Sequence, residues 1–97
     1  MSWVRRLERY FQKNTREKGK DYFLDGVVRI DEASADYVRS KVRGDRLYTV
    51  TIGIEADNLV GSCTCPHYDQ GFACKHLWAT ILAAESEDTL RSARDIV

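Results

Sequence analysis

Cys63-Thr64-Cys65-Pro66, followed by Cys74-Lys75-His76-Leu77, is the stretch that decides how this chain folds. It holds all three cysteines of the 97 residues and one of the two histidines. The four side chains fall into two pairs, each with one residue between its members. Three thiolates and an imidazole are a complete tetrahedral donor set for zinc. The spacing suits the task. In an extended strand residues i and i+2 point to one face, so Cys63 and Cys65 can grip one ion together. The second pair precedes an apolar helical run, where first-turn N–H groups and the helix dipole favour thiolate. The expected cofactor is one structural Zn2+ on Cys63, Cys65, Cys74 and His76.

Two plainer readings are weaker. Cysteine is often a small buried hydrophobe, but three within twelve positions, mirrored as C-x-C and C-x-H, do not look scattered. A disulfide framework leaves one cysteine over, and bridging Cys63 to Cys65 makes a strained ring. His67 continues the alternation of Cys63 and Cys65, yet Pro66 restrains the backbone between them. It is read as an exposed loop histidine, with contact to the metal left open. Gly71 is expected to turn the loop back toward the site.

The same residues resemble the SWIM zinc finger, whose pattern is C-x-C, a variable loop, then C-x-H. The resemblance in the finger runs over residues 63–84. Upstream, Gly19-Lys20-Asp21-Tyr22-Phe23, Gly26-Val27-Val28 and Val38…Val42-Arg43-Gly44…Tyr48-Thr49-Val50 are similar to segments that precede the finger in bacterial SWI/SNF-type helicase-like ATPases. The resemblance implies zinc on Cys63, Cys65, Cys74 and His76 and a role in binding DNA or protein. It brings no catalytic residue.

Outward from the motif, the pattern predicts an α+β domain: N-terminal helices, a small antiparallel β-meander, and a ββα-like finger ending in a helix. Ser2 can cap a helix carrying Trp3, Leu7, Tyr10 and Phe11. Asn14-Thr15 interrupts it, and a second helix over 15–24 ends at Gly26. Strands are expected at 27–31, 36–43, 47–55 and 58–65, with turns at Glu32-Ala33-Ser34, Gly44-Asp45 and Asp57-Asn58. Residues 75–85 read as a helix with Leu77, Trp78, Ile81 and Leu82 inward. A last helix over 87–95 follows, capped by Ser86. The divisions are thus 1–25, 26–62, 63–85 and 86–97 of a single domain. One of this length buries about two thirds of its unfolded surface, so a metal staple matters to it.

Register decides the chemistry of the central hairpin. A two-residue turn would mix Arg39 and Lys41 into the apolar face. A three-residue loop, Gly44-Asp45-Arg46, pairs Arg43 with Leu47 and puts Val38, Val42, Tyr48, Val50, Ile52 and Ile54 on one side. Arg39, Lys41, Arg43, Thr49 and Thr51 then share the other. A one-residue slip flips every side chain, so the register with clean faces should win; it places Gly44 or Asp45 near positive φ.

Net charge is zero, which argues against binding nucleic acid by bulk charge alone, but residues 1–20 carry a net +5. Candidate nucleic-acid contacts are therefore Arg39, Lys41 and Arg43, the first-helix Arg5, Arg6 and Arg9, and Lys75 at a helix start, where it could instead offset the charge of three thiolates. Solvated charge is the competing explanation for the stripe and helix. Four protein ligands leave no open position for a catalytic zinc, and no Gly-rich phosphate loop is present, so no enzyme is expected. Nor is a membrane span, a signal peptide or a small-molecule substrate; reduced cysteines favour a cytoplasmic location. Two functions stay open. One is a DNA-binding accessory module, with an ATPase domain of the same full-length chain as one partner. The other is a protein-interaction or architectural module with a surface around Trp78 or the ligand loop.

Overall fold

The computed structural model describes residues 3–69 and 73–96, without the side chains of His67 and Asp69. The expectations for Ser2 and Gly71 lie outside the described residues, as does that for the side chain of His67, whose backbone is in a short helix (Pro66–Asp69) and not in a loop. The chain is α+β. Helix α1 (Trp3–Leu7) runs into a 3-10 turn (Glu8–Tyr10), and α2 (Lys13–Leu24) follows. Strands β1 (Val28–Ala33), β2 (Tyr37–Arg43), β3 (Leu47–Glu55) and β4 (Asn58–Cys63) form one antiparallel meander in sequence order. Short α3 (Pro66–Asp69), long α4 (Lys75–Ser86) and short α5 (Ala93–Ile96) complete it.

Residues alternate across the sheet as the pattern predicts. Arg43 pairs with Leu47, Val42 with Tyr48 and Val38 with Ile52, and Val38, Ser40, Val42, Val50 and Ile52 are buried. That face packs against α4, which in turn packs on α2. Lying between two layers, α4 buries most of its circumference: His76, Leu77, Trp78, Ala79, Thr80, Ile81, Ala83 and Ala84. The layers approach closely where glycine allows it. A Cβ at Gly61 would stand 2.9 Å from Leu77 Cδ2, and one at Gly19 would stand 2.8 Å from the Lys75 carbonyl oxygen and 2.9 Å from Trp78 Cβ. Inside the interface Thr80 Oγ1 donates to the His76 carbonyl at 3.0 Å and bonds the Ser40 hydroxyl at 2.7 Å, leaving Ser40 as that bond's donor.

Several expectations need correction. The first break comes at Phe11-Gln12, so Asn14 and Thr15 lie within α2, and Tyr10 is exposed. Positive φ occurs at neither Gly44 nor Asp45; Ala56 (50°) and Asp57 (64°) adopt it instead, in a two-residue β3–β4 turn closed by Glu55 and Asn58. Strand β4 ends at Cys63, not at 65. The β1–β2 ladder shifts register between Ile30 and Glu32, a bulge the pattern did not signal. The helix expected over 87–95 is mostly absent: α4 runs through Ser86, and the chain then turns through Asp88 and Leu90, both at positive φ. Tertiary bonds win there. Leu90 and Ser92 donate their N–H groups to the Ser34 and Ala35 carbonyls, each at 2.8 Å, and the Leu90 side chain is fully buried.

Candidate metal centre

Each of the four expected ligands is delivered by a different local device. Cys63 is the last residue of β4 and, like Leu59 and Gly61 before it, faces α4. The ladder is prolonged one step beyond it: Thr64 N donates to the Thr49 carbonyl at 3.1 Å, and Thr49 N to Thr64 Oγ1 at 3.0 Å. Cys65 stands just before α3, where Pro66, with φ preset and no N–H to lose, suits the first helical position. Tyr68 N donates to Cys65 Sγ at 3.4 Å, and the Tyr68 hydroxyl donates to the Gly61 carbonyl. The strand argument therefore holds for Cys63 alone; Cys65 is placed by a helix start. Cys74 is the N-cap of α4, its Sγ accepting from Leu77 N at 3.4 Å. His76 projects from the first turn.

The four ligand atoms lie within 4.8 Å of one another, and all four residues are buried. Cys63 Sγ is 3.8 Å from His76 Nδ1; donors on a tetrahedral zinc, at about 2.0–2.3 Å from it, stand roughly 3.5–3.8 Å apart. Before a cation enters, the thiols share protons unequally. A hydrogen bond from the Cys63 thiol, with others from His76 and the Leu77 N–H, pulls Cys74 far below the usual thiol range, against its burial. Cys63 is raised, chiefly by that same bond to Cys74 and then by burial, and Cys65 is raised chiefly by burial. One preformed thiolate, two more thiols and an imidazole in a dry site fit a zinc ion, which would pin the end of β4 to the start of α4.

Fold and site thus define a zinc-binding module built on a four-stranded sheet and a covering helix. Residues 48–85 match the family model of the SWIM zinc finger, the segment that holds all four ligands and α4. Searches of curated proteins and of solved structures each found no match.

The candidate nucleic-acid residues divide between surfaces. Arg39, Lys41 and Arg43 lie on the sheet face turned away from α4. Arg43 is exposed, Arg39 pairs with Glu32 at 2.7 Å, and Lys41 Nζ donates to Thr49 Oγ1 at 2.7 Å. Arg29, which the sequence reading passed over, is cross-strand from Lys41 and joins this face; the inward Val28 and Ile30 on either side of it were the available signal. Arg5, Arg6 and Arg9 are exposed on the helical side, where Arg6 and Arg9 line a groove with Leu77 and Ile81. Lys75 is half-buried, its Nζ 5.3 Å from the Tyr22 ring centroid. Trp78 is core, packed on Phe11 with centroids 5.0 Å apart, and offers no surface. Among the described residues no helix is long and apolar enough to cross a membrane.

Proposed function

We propose that this chain is a zinc-organised accessory module that binds DNA without sequence preference, as part of a larger helicase-like protein of the SWI/SNF class. The supporting observation is the grouping of Arg29, Arg39, Lys41 and Arg43 on one open sheet face, interleaved with the hydroxyls of Thr49, Thr51 and Ser62. Cations and hydroxyls on a twisted sheet suit phosphates, which position a protein but carry no sequence information. The partial pairing of Arg39 and the zero net charge point to weak binding, near the roughly 10⁻⁴–10⁻⁶ M range of non-specific complexes. The helicase context rests on the resemblance of the finger and its upstream segments. In this reading the chain supplies binding, and any ATPase step belongs to other parts of the larger protein.

The test is a titration of the zinc-loaded chain with duplex and single-stranded DNA at low and moderate salt. Affinity should fall with salt, and replacing Arg39, Lys41 and Arg43 together with Gln should weaken it and flatten the salt slope by up to about three units, with zinc content unchanged. Absence of binding at low salt would overturn the reading. One observation favours protein interaction instead: a groove of about 460 Å³ between the first helix, the β3–β4 turn and α4, floored by Phe11, Leu59, Leu77, Ile81 and Ile96. Salt-indifferent association with a protein partner, lost on filling this groove, would establish that alternative.

A further inference from the structure

Granting zinc at the four ligands, the His76 ring must be held so that one nitrogen faces the metal and the other keeps its proton. A neutral imidazole that ligates through one nitrogen carries hydrogen on the other, and that N–H needs an acceptor. Nδ1 is the nitrogen beside the thiols, 3.8 Å from Cys63 Sγ. Nε2 is buried and without a hydrogen-bond partner among the described residues. Its surroundings are specific. The rings of Tyr48 and Tyr22 flank the imidazole, with centroids 4.6 Å and 5.5 Å away. A Cβ built on Gly44, at the end of the β2–β3 hairpin, would lie 3.3 Å from His76 Nε2, 3.3 Å from Tyr22 Oη and 3.2 Å from Tyr48 Cε2. The two polar atoms therefore border the same small volume, left open by the missing side chain. Tyr22 is half-buried, and a phenolic oxygen can accept a hydrogen bond as well as donate one.

We propose that Tyr22 is a positioning residue of the metal centre: its hydroxyl accepts the Nε2–H of His76, fixing the ring with Nδ1 toward the three thiolates, and Gly44 keeps the space between them clear. Lys75 Nζ over the Tyr22 ring helps to hold the tyrosine in place. Both Tyr22 and Gly44 lie outside the segment matched by the finger family. The metal centre of this chain accordingly takes in α2 and the end of the hairpin that carries Arg43, and loading it orders more than the ligand loop.

The experiment is long-range proton–nitrogen correlation NMR on the zinc-loaded, nitrogen-15-labelled chain, with chelator competition to measure zinc affinity. His76 should show metal-bound Nδ1 and a slowly exchanging Nε2–H. Tyr22→Phe, which keeps the ring and its packing, should speed that exchange and weaken zinc by about tenfold or more, the usual cost of losing an outer partner of a ligating histidine. Gly44→Ala should do the same without backbone strain, since Gly44 is not at positive φ. Zinc bound through Nε2, or Tyr22→Phe leaving both exchange and affinity unchanged, would overturn this proposal while leaving the zinc site intact. A chain that takes up no zinc, or holds it without His76, would overturn the zinc reading and this proposal with it.

Discussion

Thr80 shows how much a single buried hydroxyl carries here. It donates to the His76 carbonyl and accepts from Ser40, so it links the ligand-bearing turn of α4 to the middle of β2. Thr80→Val removes both bonds and strands the Ser40 hydroxyl in the core, a loss of about 1–3 kcal/mol. Ser40→Ala leaves Thr80 its donor bond and should cost about 1 kcal/mol. Urea midpoints of the two zinc-loaded variants check the order; equal costs would contradict it. The cysteines make a second prediction. Cys63 and Cys65, raised above an ordinary thiol pKa of about 8.5, stay protonated at neutral pH, while Cys74, lowered, does not. Zinc uptake should then release about two protons, so affinity falls about a hundredfold per unit of pH lowered through neutrality and rises as pH increases. Release of three protons, measured by calorimetry in buffers of different ionisation enthalpy, would mean that Cys74 is protonated as well.

Elements were legible in the sequence where neighbours along the chain decide them. Val38 and Val42 against Tyr48, Val50 and Ile52 specify the hairpin register, and the second ligand pair specifies the start of α4; the end of β4, expected at 65, falls at Cys63 because Cys65 already leads into α3. What the sequence hid is decided by distant partners. Gly44 suggested a positive-φ turn, yet what sets it apart is that a Cβ there would crowd His76, Tyr22 and Tyr48; the positive-φ residues of a hairpin turn are Ala56 and Asp57. Residues 87–95 looked like a polar helix because the pull of Ser34 and Ala35 on Leu90 and Ser92 has no local signature. These differences are testable. Ala56→Asn with Asp57→Gly, the pair such a turn prefers, should stabilise the chain by about 1 kcal/mol, and a lower melting temperature would argue against the turn. Gly19→Ala should destabilise it by about 1–3 kcal/mol, since the new methyl meets the backbone of α4 and not a yielding side chain; an unchanged denaturant midpoint would mean that α2 does not pack this closely.

Taken whole, the molecule is a sheet and α2 clamped on either side of α4, with the metal ligands supplied by the end of β4, the approach to α3 and the start of α4. The zinc cluster and the apolar core are contiguous: Cys63, Cys65 and Cys74 are buried in the same cluster as Val42, Val50, Leu77 and Trp78. Metal removal should therefore loosen α3, the start of α4 and the adjoining hairpin end first, while the β1–β2 side, with its own apolar packing, opens last; amide exchange with and without chelator reads this order. Everything proposed for the surface depends on the centre beneath it. The most direct test of that centre is zinc-edge X-ray absorption on the zinc-replete chain, with metal content measured on the same sample. One zinc per chain, with three sulfurs at about 2.3 Å and one nitrogen at about 2.0–2.1 Å, is the result expected of Cys63, Cys65, Cys74 and His76. Fewer than one zinc per reduced chain, or a shell lacking any of those four donors, would contradict it.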